Sequence, residues 1–127
     1  MEFRENRPIY LQIAEFVSEQ ILLKKWNLGD KILSIRELAV LMQVTPNTVQ
    51  RAYDFLQQRD IITNKRGIGY FTEADALSRI LAFRREQFIE NELPVFFRNI
   101  YLLNMDFKEV ESLFSEFVKD NFLKKQV

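Results

Sequence analysis

The sequence predicts a mainly α-helical protein in two parts: three helices closed by a two-stranded hairpin over residues 1–72, then a helical tail over residues 73–127. Three observations carry this expectation. Between Ile32 and Leu56 two helical stripes meet at a tight turn. Directly after them, two short β-prone runs flank a turn that holds two glycines and two cations. Finally, no glycine occurs after Gly69, while seven of the twelve phenylalanines fall between Phe88 and Phe122.

Residues 1–7 are polar and expected to fray. Pro8 can open a first helix running to about Lys25, because a missing N–H is harmless in the first helical turn. Ile9, Ile13, Phe16, Val17 and Ile21 line its buried arc, widened by Tyr10 and Ala14. Asn27-Leu28-Gly29-Asp30 ends it with a turn. Ser34 and Glu37 have the spacing of a capping box, so a second helix starts at Ser34 with the stripe Ile35, Leu38, Ala39 and Met42. Gln43 and Val44 break it. Thr45 then caps a third helix, with Pro46 at the first helical position.

At about 100° per residue, Val49, Ala52, Tyr53 and Leu56 gather on the core side of the third helix. Asn47, Gln50, Arg51, Asp54 and Gln58 gather on the other side. That second face is long-armed and rich in hydrogen-bonding groups, as a helix laid in a DNA major groove requires. A solvated face would look the same on an isolated helix, so the hairpin after the third helix decides between them. Ile61-Ile62-Thr63 and Tyr70-Phe71-Thr72 read as strands around Asn64-Lys65-Arg66-Gly67-Ile68-Gly69. Three helices and then a basic hairpin is the winged-helix arrangement. Behind a recognition-type helix, Lys65 and Arg66 become phosphate or minor-groove contacts rather than an ordinary hairpin tip.

From Glu73 the character changes. Ala76, Leu77, Ile80, Leu81, Phe83, Phe88 and Ile89 predict a long helix that Pro94 ends or kinks near Leu93. Asp106 and Glu109 repeat the capping-box spacing and open a last helix striped by Phe107, Val110, Leu113, Phe114, Phe117 and Val118. Two or three helices cannot enclose so many large apolar side chains alone. They either pack back on the winged helix or pair with a second copy. Pairing is the favoured reading, since a DNA reader gains from two-fold symmetry. The expected interface comprises Phe88, Phe96, Phe97, Ile100, Val110, Leu113, Phe114 and Phe117.

Composition narrows the function. There is no cysteine and no histidine, which removes disulfides, thiolate chemistry, the serine-type triad and most zinc sites. No cofactor or metal is expected. The longest apolar runs fall short of a membrane span, and the N-terminus lacks the apolar core of a signal peptide, so the expected compartment is the cytoplasm. Net charge is zero overall, but residues 1–72 carry 10 Lys+Arg against 8 Asp+Glu, and the remainder the reverse imbalance. That asymmetry suits a DNA-binding first half without by itself indicating one.

Residues 8–72 resemble the N-terminal domain of the GntR family of bacterial transcription regulators. The resemblance runs through Pro8-Ile9-Tyr10-Leu11-Gln12-Ile13, Gly29-Asp30, Ser34-Ile35-Arg36-Glu37-Leu38-Ala39, Val44-Thr45-Pro46-Asn47-Thr48-Val49, Arg51-Ala52-Tyr53 and Arg66-Gly67-Ile68-Gly69-Tyr70-Phe71. The short helical tail is similar to that of the YtrA-like branch, whose members carry a two-helix dimerisation appendage. The resemblance implies that Arg36, with Ser34 beside it, and the start of the third helix at Thr45, Asn47, Thr48 and Gln50 contact an operator. It implies that Arg66 and Gly67 enter the minor groove, and that Arg51 is a phosphate or base partner. Three positions depart from the family. Leu33 stands where many members have proline. Pro46 stands where longer-tailed members often carry arginine, which shifts base readout to Asn47, Gln50 and Arg51. Arg59-Asp60 replaces the usual Glu-Gly.

The function expected is therefore a sequence-specific DNA-binding transcriptional regulator, a repressor that binds an inverted-repeat operator as a homodimer. The alternative is a winged-helix module that binds protein without sequence-specific DNA binding. An enzyme is not expected: some relatives fuse this domain to a pyridoxal-phosphate domain, but only 55 residues follow the wing here. The sequence names no operator and no effector.

Overall fold

The computed structural model describes residues 2–3 and 6–123. Helix α1 spans Ile9–Leu22, α2 Ile35–Met42 and α3 Pro46–Gln58; strands β1 (Ile62–Lys65) and β2 (Gly69–Thr72) precede α4 (Ala76–Gln87). Helix α1 stops short of Lys25 because Lys24 turns left-handed, at φ 61°, which closes the last turn. Ile9 stays exposed in the first turn, whereas Ile13, Ala14, Val17 and Ile21 are buried as their spacing demands. The start of the chain is better anchored than its polarity suggests. Phe3 packs partly on the core, and Arg7 pairs with Glu15 while its carbonyl accepts from Gln12 Nε2. The rest of that expected frayed stretch includes residues 1, 4 and 5, which lie outside the described residues.

The two strands pair antiparallel in the register Ile62↔Thr72 to Lys65↔Gly69. The Ile68 N–H closes the turn onto the Lys65 carbonyl at 2.9 Å. Gly67 takes φ 78° at the third turn position, which a side chain would strain. The segment after α1 is more than a turn. Gly29 N–H donates to the Thr72 carbonyl (3.1 Å), Thr72 N–H to that of Asp30 (3.1 Å) and Ile32 N–H to that of Tyr70 (2.9 Å). Lys31 therefore lies opposite Phe71 along the free edge of β2.

One core joins these elements. Leu38, Ala39 and Met42 from α2 meet Val49, Ala52, Tyr53 and Leu56 from α3, with Ile61 and Ile62 from the wing. Ala76, Ile80 and Phe83 of α4 join the same cluster. The first compact unit accordingly runs to Arg85, and the second from Glu86, rather than dividing at 72 and 73. The composition changes at Glu73, but one face of α4 still belongs to the winged helix. Arg59 fixes it there, its guanidinium 4.4 Å from the Phe55 ring centroid and 5.4 Å from that of Phe83.

Tyr53 is the core's polar tie. It is fully buried, and its hydroxyl donates to the Leu33 carbonyl at 2.6 Å. Burial first, then the neighbouring Tyr70 and Glu37, holds that hydroxyl well above the usual phenol range. The fold thus keeps the neutral phenol. Its contribution is complete below the unfolded value of about 10 and is lost as pH rises towards the raised folded value. Tyr53→Phe should cost about 1–3 kcal/mol at neutral pH, because the Leu33 carbonyl loses that donor. It should also flatten the fall in stability above about pH 10. Urea unfolding of both proteins across that range checks this; an unchanged alkaline slope would show that Tyr53 is not the titrating group.

In the second unit, a π-helical turn over Phe88–Glu92 leads into α5 (Leu93–Leu102), and α6 (Phe107–Val118) is followed by a second π turn, Lys119–Leu123. Pro94 opens α5, and the widened turn before it accommodates the ring that would otherwise clash one turn back. Asp106 caps α6 by accepting from the Lys108 N–H, not through the expected box with Glu109.

Candidate nucleic-acid interface

The second and third helices are set by local chemistry. Ser34 Oγ accepts from the Glu37 N–H at 3.1 Å, and Glu37 Oε1 accepts from the Ser34 N–H at 2.8 Å, completing the capping box. The Ser34 backbone bond, the Ser34 hydroxyl and the charge of Lys31 hold the Glu37 carboxyl below the usual range. The Ser34 hydroxyl thus serves the cap itself, accepting from the Glu37 N–H and lying against its carboxylate. Arg36 stands exposed in the same turn. Gln43, at φ 57°, ends α2 in the left-handed conformation and turns the chain into α3.

Helix α3 has the two faces its spacing predicts. Val49, Ala52, Tyr53 and Leu56 have no exposed surface at all. Opposite them Asn47, Arg51, Asp54 and Gln58 are exposed and Gln50 is half-buried. Three details differ from expectation. Thr45 occupies the cap position, but its side chain makes no cap bond; its hydroxyl lies 3.0 Å from that of Thr48. Gln50 Nε2 donates to Asp54 Oδ1 at 2.9 Å. Arg51 is not a free arm, since its guanidinium sits 4.3 Å from the centroid of Tyr10 on α1. Stacking leaves the in-plane N–H groups able to meet a phosphate while it limits their reach towards bases.

On the wing, Lys65 Nζ lies 4.3 Å from the Phe71 ring centroid, a diagonal pair on one face of the hairpin. Arg66 and Gly67 form the exposed tip. Lys31 is a cation of this surface that sequence reasoning did not single out. A Cβ added at Gly69 would come within 2.7 Å of Lys31 Cε, and the Lys31 charge reaches Glu37, so it stands between the wing and the start of α2. The short edge over residues 29–32 has no period to reveal it; Gly69, at φ 141° and without a Cβ, leaves room for the Lys31 side chain on the wing.

The tail carries no buried residue among those described from Glu86 onwards. Its helices enclose an open groove of about 900 Å³. Seven of the eight expected interface residues line it; Phe97 does not, and is exposed elsewhere on α5. No helix among the described residues is long and apolar enough to cross a membrane.

Comparison with known proteins matches residues 9–72 to the family described as bacterial regulatory proteins, gntR family. The HTH-type transcriptional repressor YtrA of Bacillus subtilis is 37% identical over 78 residues, which cover 61% of this chain and 60% of that protein. A second B. subtilis relative is covered over 58% of its length, so the chain spans about three-fifths of each of these two relatives. Among solved structures, a putative GntR-family regulator from Bacteroides thetaiotaomicron is 42% identical at a TM-score of 0.68, covering 88% of this chain and 97% of the other. The DNA-binding domain of AraR in complex with operator ORR3 is 28% identical at a TM-score of 0.51, covering 57% of this chain and 84% of that one.

Proposed function

The chain belongs to the GntR family of bacterial transcriptional regulators, and from that premise we propose that it is a cytoplasmic repressor that binds an inverted-repeat DNA operator as a homodimer. The observation that carries the reading is α3. One face is sealed in the core, and the other presents exposed Asn47 and Arg51 and half-buried Gln50 beside a basic wing. Asn47 and Gln50 read base edges near the start of the helix, as amide side chains do in the major groove. Arg51, braced by Tyr10, takes a phosphate, as do Arg36 and the hydroxyls of Ser34, Thr45 and Thr48. Arg66 and the Gly67 turn enter the minor groove, with Lys65 and Lys31 at the flanking backbone.

The tail supplies the second copy. Phe96, Phe114 and Phe117 are 41%, 65% and 57% exposed in one chain, and together they line the groove. Apolar area of that kind is covered by a partner surface, and an isologous two-fold pairing covers it on both copies at once. On this reading a dimer seated on its operator represses by blocking other proteins from that DNA. The repressor among the relatives supports this reading.

Two measurements test it. Selection from a random duplex pool should enrich a dyad-symmetric sequence, and the selected duplex should bind at least about 10³-fold more tightly than random duplex at physiological salt. A protein-interaction module would bind neither, even at low salt. The wing and its neighbour predict a distinct signature. Arg66→Ala and Lys31→Ala should each reduce the slope of log K against log salt by about 0.9 per protomer. Unchanged slopes in both variants would remove the wing and Lys31 from the interface.

A further inference from the structure

We propose that Asp54 is a positioning residue for DNA reading. It orients the amide of Gln50 so that the oxygen is offered to the base, biasing that contact towards adenine or cytosine. The inference rests on the assignment of Gln50 to the groove-facing side of α3. Gln50 and Asp54 lie one helical turn apart on that side, with Gln50 Nε2 donating to Asp54 Oδ1 at 2.9 Å. A carboxylate only accepts, so the flipped amide would set oxygen against oxygen. Asp54 therefore selects one of the two amide orientations and occupies a donor hydrogen of Nε2. What remains for a base is chiefly the acceptor, Oε1.

The consequence is a preference. An unrestrained glutamine can turn its NH2 group to the O6 and N7 acceptors of guanine as well as reading adenine through both ends. With the amide held by Asp54, the matching partners in the major groove are the exocyclic amino groups, N6 of adenine and N4 of cytosine. The exposed pair competes with water in the free protein. In the groove that water is displaced and the pairing strengthens. The Asp54 carboxylate adds to the bias, because it too disfavours the acceptor-rich edge of guanine.

Random-pool selection with the full chain and four variants tests this: Gln50→Ala, Asp54→Ala, Asp54→Asn and the double Gln50→Glu/Asp54→Ala. The column lost in Gln50→Ala should in wild type favour adenine or cytosine over guanine by about tenfold. Asp54→Ala should reduce that preference to about twofold or less in the same column, with the others unchanged and the far-UV circular dichroism of wild type. Asp54→Asn should relax it as well, because an amide can donate to Oε1 as readily as it accepts from Nε2, so neither orientation of Gln50 is selected. The double variant should restore it, because Glu at position 50 offers acceptors only. A purely structural role for Asp54 does not yield that restoration. If Asp54→Ala leaves the column intact, or the double variant fails to restore it, the orienting role is overturned while Gln50 stays a base reader. If Gln50→Ala alters no column, both the assignment of Gln50 to the groove and this inference fall.

Discussion

Phe114→Asp is expected to give a monomer with a folded winged helix and an operator affinity lower by about 10²–10⁴-fold. Phe114 is 65% exposed in a single chain and lines the tail groove, so in the proposed dimer its ring is covered by the partner. Burying a side chain of this size contributes about 1.5–3 kcal/mol. Several such residues from each copy offset an association entropy of about 4–15 kcal/mol. A carboxylate in the same position reverses the sign, since an unpaired buried charge is strongly unfavourable. The winged helix has its own core, from Ile13 to Phe83, and Phe114 is no part of it. Affinity falls because two half-sites bound through one dimer act together, and two monomers do not. Sedimentation equilibrium, circular dichroism and operator titration on the same preparations check each part. A variant that remains dimeric, or a monomeric wild type, would mean that the tail phenylalanines serve another surface.

Asn47→Ala should weaken operator binding by about 2–6 kcal/mol, because one bidentate base contact worth about 1–3 kcal/mol is lost in each half-site. The loss should appear as one relaxed column repeated symmetrically about the dyad. Random duplex should bind as before, since phosphate contacts carry that binding. Folding should be unharmed: Asn47 is exposed, and alanine favours helix more than asparagine does. Competition titrations against selected and random duplexes distinguish the two effects. Equal weakening on both would move Asn47 from base reading to backbone contact.

Much of the DNA-facing half is legible in the sequence because its signals are local. The three-residue spacing of Ser34 and Glu37 encodes a complete capping box, and the period of Val49, Ala52, Tyr53 and Leu56 encodes a face with no exposure. Two of the family departures have a defined place in the fold. Asp60 takes φ 60°, the left-handed conformation a glycine would take and one that Asp tolerates. Leu33, in place of proline, lends its carbonyl to Tyr53.

What the sequence hides is tertiary. Arg51 looks like a free arm until α1 brings Tyr10 beneath it. Thr45 has the right type and place for a cap, yet its hydroxyl turns to Thr48. Lys31 becomes a neighbour of the wing only when residues 29–32 pair with β2. Composition shifts at Glu73, but packing divides after Arg85, because the apolar face of α4 fits the winged-helix core. The tail pattern foretells exposed aromatics, and which of them share a groove depends on how α5 and α6 turn, which leaves Phe97 outside it.

In the proposed complex one dimer reads two symmetric half-sites through α3 and the wing. Hydroxyl-radical footprinting of the selected operator, combined with the mass of the complex by sedimentation, tests it most directly. The expected result is two equally protected half-sites related by a dyad, spaced to place both α3 helices in the major groove on one face of the duplex, and two chains per duplex. A single protected half-site occupied by one chain, or uniform protection independent of sequence, would contradict it.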